Sequence, residues 1–213
     1  MSEVLNSISA AVIQGQKDDI ANLTHDALGK ELSARDILYK GLMPGMDYVG
    51  EKFKIGDMFI PEVMRSARTM ANSMEILKPL LSETGVEMIG RVLLGTVKGD
   101  LHDIGKNLVA MMCEGAGFEV KDLGINVEPG AFVEAIKEFE PHIVGMSALL
   151  TTTMRSMGDT LKAFEEAGLR NRVKVMIGGA PVTNSFAEKI GADGYAPDAA
   201  AASDVAKKFM APG

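Results

Sequence analysis

The hydrophobic period of this chain changes once, near Ser82-Glu83-Thr84-Gly85, and the change separates two kinds of structure. Upstream, apolar residues recur at helical spacing in four stripes. These are Val4, Leu5, Ile8 and Val12; Ile20, Leu23 and Ala27; Ile37, Leu38, Leu42, Met46, Val49 and Phe53; and Val63, Ala67, Met70, Met74, Leu77 and Leu81. Pro61 falls in the first turn of the last stripe, where no amide hydrogen is needed, and Gly56-Asp57 marks the loop before it. Four helices with short connections predict an antiparallel bundle over residues 1–86.

Downstream, short β-rich runs alternate with amphipathic segments of helical length: Arg91 to Val97, Phe118 to Leu123, Ile143 to Ser147, Val173 to Ile177 and Gly194 to Ala196. Connections of that length allow right-handed crossovers. Residues 87–213 are therefore expected to form an α/β domain with a five-stranded open parallel sheet and helices on both faces. Ala199 to Ala202 would begin its closing helix. In such sheets ligands sit beyond the carboxyl ends of the strands, where strand order reverses. Three loops then matter: Lys98 to Asp103, Ala148 to Thr153 and Gly178 to Thr183.

The first of these leads into Asp100-Leu101-His102-Asp103-Ile104-Gly105. His102 follows the strand Val92-Leu93-Leu94 and precedes a helix whose expected buried stripe is Ile104, Leu108, Val109, Met112 and Ala116, so its imidazole should project from the top of the sheet. Neutral imidazole binds a transition metal through one ring nitrogen while the other donates to a carboxylate, and Asp100 can be that carboxylate. Gly99 and Gly105 leave room for a bulky ligand or a close-packed helix. Read alone, the same residues equally suit a capped turn with Asp100 or Asp103 as N-cap. One histidine cannot build a zinc site, so a metal at His102 needs most of its coordination from elsewhere, as a tetrapyrrole-like macrocycle would supply it. His25, in a polar stretch, and His142, after Pro141, are read as incidental. The second loop, Ser147-Ala148-Leu149-Leu150-Thr151-Thr152-Thr153, offers hydroxyls to a carboxylate or a ligand amide, or simply caps the next helix. The third, Gly178-Gly179-Ala180-Pro181, offers a strand end without side-chain bulk, or a plain turn.

Composition narrows the field. The net charge of −7 comes from 29 acidic and 22 basic residues that are interspersed, with no tryptophan, which gives nucleic acid nothing to bind. The single cysteine, Cys113, excludes an internal disulfide. The amino terminus has no basic and apolar leader, and no apolar run approaches a membrane span. A cytoplasmic protein with no membrane partner is expected.

The ordered combination of motifs resembles one family, the cobalamin-binding corrinoid proteins of anaerobic methyltransferase systems, and is similar to the matching module of cobalamin-dependent methionine synthase. The resemblance covers nearly the whole chain. It rests on Gly99-Asp100-Leu101-His102-Asp103-Ile104-Gly105-Lys106-Asn107, Ser147-x-Leu149, Gly178-Gly179-Ala180, Gly50-Glu51-x-Phe53 and Phe59-Ile60-Pro61-Glu62-Val63.

The resemblance implies a Rossmann-like (flavodoxin-like) cobalamin-binding domain behind a helical cap. It implies His102 as the metal ligand, the lower axial donor to cobalt, with Asp100 hydrogen-bonded to it. Gly99, Leu101, Asp103, Ile104 and Gly105 would complete that loop around the cofactor. Ser147 and Leu149 would line the slot for the displaced nucleotide tail, with Thr151, Gly178, Gly179 and Ala199 nearby. Thr153 takes the place of the serine that completes the His-Asp linkage in the methionine synthase module, keeping the hydroxyl on a stiffer, branched side chain. Phe53, Ile60 and Val63 would press apolar surface toward the methyl-bearing face, and each serves also as bundle core, Val63 equally so. Gly85 and the connection from Ser82 to Glu87 would be the hinge.

As function, the resemblance implies a non-autonomous corrinoid subunit of one-carbon metabolism, methanogenic or acetogenic. It would act as a methyl carrier whose cobalt cycles between Co(I) and methyl-Co(III), holding methylcobalamin when charged. A substrate-specific methyltransferase would load it, a second methyltransferase would unload it to tetrahydrofolate or coenzyme M, and a reductive activation protein would restore it. A cobalamin-dependent sensor shares the fold and the lower ligand, a mutase subunit usually lacks the helical half, and a flavodoxin-like nucleotide binder would leave His102 without a role.

Overall fold

A computed structural model describes residues 2–85 and 88–211, and the chain forms two compact units. The expected boundary at residues 86 and 87, with that end of the expected hinge, lies outside the described residues.

The first unit is helical: α1 (Ser2–Gln14), α2 (Lys17–Gly29), α3 (Ala34–Ile37), a π-helical turn (Leu38–Leu42), α4 (Met43–Lys54) and α5 (Ile60–Glu83). Local chemistry sets the starts. The Ser33 hydroxyl accepts the Asp36 N–H at 3.0 Å, and at the head of α5 the Glu62 carboxylate accepts the Phe59 N–H at 2.9 Å, with Pro61 in the first turn. The third hydrophobic stripe, expected as one helix, is interrupted. Pro44 has no N–H to give the Lys40 carbonyl and its ring would crowd it, so the preceding turn widens and the Met43 N–H bonds to the Leu38 carbonyl five residues back. The stripes still converge: Ile8, Val12, Ile20, Ile37, Leu42, Val49, Val63 and Leu77 are fully buried.

The second unit alternates strand and helix: β1 (Arg91–Thr96), α6 (Ile104–Gly115), β2 (Glu119–Asp122), α7 (Pro129–Phe139), β3 (Ile143–Ser147), α8 (Arg155–Glu166), a 3₁₀ turn (Arg170–Arg172), β4 (Lys174–Gly178), α9 (Asn184–Ile190), β5 (Gly194–Ala196) and α10 (Ala199–Met210). All strand pairs are parallel, in the order β2-β1-β3-β4-β5. The chain leaves β1 outward to β2 and returns across it to β3, which puts the switch point between β1 and β3. Thr96 pairs with Ser147 and Ser147 with Gly178, so the loops after β1, β3 and β4 leave the sheet side by side. Leu93, Val144, Val175, Phe132 and Phe164 are fully buried in the core, the two rings edge to face at 6.4 Å.

Two residues of the stripe expected to be buried on α6 are not in the core, and one of them, Val109, is half-buried. Leu108, Met112 and Ala116 are buried, but Ile104 is 70% exposed, because the first turn of α6 begins where the sheet no longer lies beneath it. Among the described residues no helix is long and apolar enough to cross a membrane.

The bundle depends on the close approach of α1 and α4 at Gly45, where a β-carbon would stand 2.9 Å from both the Ser9 carbonyl oxygen and the Val12 β-carbon. Gly45→Leu should therefore destabilise the protein by about 1–3 kcal/mol through forced repacking, read as a lower urea midpoint.

Candidate functional site

The three aligned loops meet at one carboxylate. The side chain of Asp100 is wholly buried while that of His102 is 51% exposed, and Asp100 Oδ1 lies 2.8 Å from His102 Nδ1. The same oxygen accepts the His102 N–H at 3.1 Å. Its other oxygen, Oδ2, accepts the Leu149 N–H at 2.7 Å, the Leu150 N–H at 3.3 Å and the Thr153 hydroxyl at 2.6 Å. Thr153 also stands 2.9 Å from the Leu150 carbonyl, but it has one hydrogen, and the shorter, charge-assisted bond takes it.

Burial by itself would raise the Asp100 carboxyl. The Thr153 hydroxyl, the Leu149 N–H and His102 outweigh it and hold the group well below the usual carboxylate range. An ionised acceptor at that distance requires the hydrogen on Nδ1, so in the neutral ring Nε2 keeps its lone pair. Nε2 has no hydrogen-bond partner among the described residues.

A second set of bonds holds the loop from the β2 side. The Thr96 hydroxyl donates to the His102 carbonyl at 2.9 Å, the Asn126 side-chain oxygen accepts the Gly99 N–H at 2.7 Å, and the Asn126 N–H donates to the Asp100 carbonyl at 3.0 Å. Ser156 donates to the Lys98 carbonyl at 3.1 Å. Asn126 and the loop after β2 were not among the expected site residues. The signal was available, since β2 neighbours β1 and its loop leaves the same edge, and Gly124-Ile125-Asn126 carries turn-forming residues.

The floor beside this post is free of side chains. Gly179, at φ +125°, has no room for a β-carbon, which would run into the Ala148 carbonyl oxygen, and one on Gly178 would lie 2.8 Å from the Ala196 carbonyl oxygen. Nothing lies within 4 Å of where a Gly105 β-carbon would point. Leu101, Ile104, Ile125, Leu149 and Leu150, all from loops or helix starts at this edge, leave large apolar side chains exposed. Ile125 and Leu150 join the expected set. Ser147 is half-buried at the end of β3, Thr151 is exposed, and Ala199 is buried at the start of α10. Asp103 is exposed and accepts from the Asn107 side chain at 3.1 Å. A half-exposed imidazole with a free lone pair, an apolar surround and a bare backbone floor fit a flat macrocycle with a central metal. Among the described residues no three His, Cys, Asp or Glu side chains gather to hold a metal ion, so the protein would add one ligand to such a ring.

In the helical unit Phe53 is half-buried, Ile60 is exposed, and Val63 takes the core one of its two readings, being fully buried. His25 is exposed on α2, and His142 accepts the Arg91 N–H at 3.0 Å. Cys113 is buried, which pushes its thiol up to about 12 and removes it as a nucleophile.

Asp100→Asn turns an amide toward the His102 hydrogens and removes a charged acceptor, which should cost roughly 1.5–3 kcal/mol. The unfolded carboxyl takes its proton near the ordinary value of about 3.9, the folded one only well below it. Below that ordinary value the unfolded state binds more protons, so wild-type stability falls with pH. Denaturant unfolding across acid pH should show a smaller loss in Asp100→Asn.

A family model described as a B12 binding domain matches residues 90–203, and a second of the same description matches residues 4–78. The dimethylamine corrinoid protein 1 of Methanosarcina acetivorans is 44% identical over 210 residues, which cover 98% of each chain. A crystal structure of a cobalamin-binding protein from Desulfitobacterium hafniense superposes with a TM-score of 0.80 at 36% identity, covering 96% of this chain and 98% of that one. The methanol:cobalamin methyltransferase complex of Methanosarcina barkeri gives 0.86 at 29% identity, covering 98% of this chain and 80% of its own. The chain belongs to the B12-binding corrinoid protein family, and its cofactor is a corrinoid.

Proposed function

We propose that this chain is a methyl carrier, loaded from a small methylated donor by one methyltransferase and unloaded by a second that acts on tetrahydrofolate or coenzyme M. The observation that supports it most is the Asp100 clamp, which leaves a single nitrogen lone pair standing at the switch point of the sheet. When bound, the corrinoid supplies a cobalt centre that can accept a methyl group and release it. The chain's own part would be to hold His102 as the donor offered to that centre. The bond between Nδ1 and Asp100 fixes the tautomer and the orientation of the ring, so that Nε2 is the nitrogen offered to a metal. His102 is thereby a single oriented donor, held by Asp100 and, through Asp100, by Thr153.

A relative named for dimethylamine makes methylated amines the donor class to test first, and a neighbour solved in a methyltransferase complex supports a partner of that kind. A reductive activation protein and a cytoplasmic setting complete the proposal. We further propose that Phe53 and Ile60 shield the reduced cofactor.

Reduced protein carrying a corrinoid is expected to take on the methylated absorption spectrum when given dimethylamine and a methyltransferase from the same organism, and to lose it when the second methyltransferase and acceptor are added. Failure with every methylated amine and with methanol would overturn the carrier reading. His102→Ala should keep the fold by circular dichroism and lose the imidazole-coordinated spectrum on reconstitution with methylcobalamin; an unchanged spectrum rules out His102 as the axial donor. Phe53→Ala should speed air oxidation of the reduced form, and an unaltered rate would remove Phe53 from the shield.

A further inference from the structure

We propose that Lys106 is a positioning residue for His102, acting through Asp122 and the loop after β2; the inference rests on His102 being the lower donor to a bound corrinoid. Lys106 lies in the first turn of α6, and only 3% of its side chain is exposed. That is a poor place for a cation, because burial strips its hydration and a helix amino terminus already carries positive partial charge. Its ammonium forms a close ion pair with the Asp122 carboxylate and donates to the Asn107 side-chain oxygen at 2.7 Å. Asn107 extends the tie to Asp103, beside His102.

Asp122 closes β2, and its other oxygen accepts the Gly124 N–H at 2.8 Å. Gly124 sits at φ +81°, so the carboxylate shapes a tight turn that a side chain would strain. From this turn three routes run back to the histidine loop. The Gly124 carbonyl accepts the Thr96 N–H at 2.9 Å, and the Thr96 hydroxyl holds the His102 carbonyl. Asn126 takes the Gly99 N–H with its side chain and gives its own N–H to the Asp100 carbonyl. Lys106 therefore fastens the helix that follows the histidine loop to the turn that braces it.

The energetics favour a geometric role over a stabilising one. Only the lysine side of the pair is buried, since the Asp122 side chain is 34% exposed; such a pair often contributes little beyond apolar residues of the same volume, whereas a buried lysine left alone is costly. A lysine kept against both the dipole and burial is explained by what it positions.

Removing a group that orients a metal ligand typically costs about 10–100-fold in affinity. Lys106→Met should weaken methylcobalamin binding by about tenfold, at the lower end of that range, and reduce the fraction of bound cofactor with the imidazole-coordinated spectrum. Both are read by visible-absorption titration of the cofactor-free protein, with circular dichroism as the check on folding. Lys106→Arg keeps the charge and should retain both properties. Should the lone Asp122 charge prevent Lys106→Met from folding, the double variant with Asp122→Leu leaves no unpaired charge and should show the same two losses. Wild-type affinity and spectrum in the folded variant would overturn the inference. His102→Ala run alongside separates the two claims: if it loses the imidazole signal while the Lys106 variants keep theirs, the positioning role alone fails, and if it keeps the signal the axial reading fails.

Discussion

The carboxylate of Asp100 is the interaction on which the site depends. It is buried with no lysine or arginine paired to it among the described residues, and it survives there because five hydrogen-bond donors converge on it. The two oxygens divide the work. Oδ1 serves its own loop, taking the backbone and ring hydrogens of His102, and Oδ2 serves the loop after β3. The imidazole is thus tied to Leu149, Leu150 and Thr153 through one shared acceptor. The clamp also decides a tautomer, because an ionised acceptor leaves the ring one place to carry its hydrogen.

That convergence is a property of the sheet before it is a property of the motif. Asp100 reaches Leu149 and Thr153, about fifty positions away in the chain, because β1 and β3 are paired with Thr96 opposite Ser147, and a slip of that register would move the two loops apart. The same pairing on the other side lets Asn126 brace Gly99. The bare floor beside the histidine has the same origin: β4 ends beside β3 at Gly178, and the backbones of Gly179 and Ala148 come too close for a β-carbon between them.

Much of this was legible in the order of residues, and the parts that were not share a cause. The change of period at Ser82 to Gly85, the start of α5 at Pro61 and the strand at Ile143 to Ser147 rest on local spacing and local turn chemistry, and all are in the structure. Pro44 was equally local, but its effect was hidden inside a helical stripe so regular that a widened turn left the pattern intact. Ile104 misled because an apolar residue four before Leu108 reads as core unless the end of the sheet is known, and there it is surface at the site. Asn126 lay in a legible turn and Lys106 inside the histidine motif, but what they and Asp122 hold was not legible, since their partners are set by strand order and not by the residues beside them.

Thr153 is the residue where family likeness and geometry bear on each other most directly. A β-branched side chain has fewer rotamers than serine, which would be a handicap if its hydroxyl had to search for a partner. Here the search is already over. The methyl group of Thr153 lies beside Gly99, 3.6 Å from where a β-carbon on that residue would stand, and the residue is almost fully buried. With the methyl occupying that side, the hydroxyl is left pointing at Asp100, 2.6 Å away. A serine, free of the branch, could swing its oxygen into another side-chain rotamer and leave the carboxylate one donor short. The branch thus holds the hydroxyl on Asp100 as one of the five donors that keep the carboxylate ionised, and the ionised carboxylate leaves Nε2 as the nitrogen of His102 open to a metal.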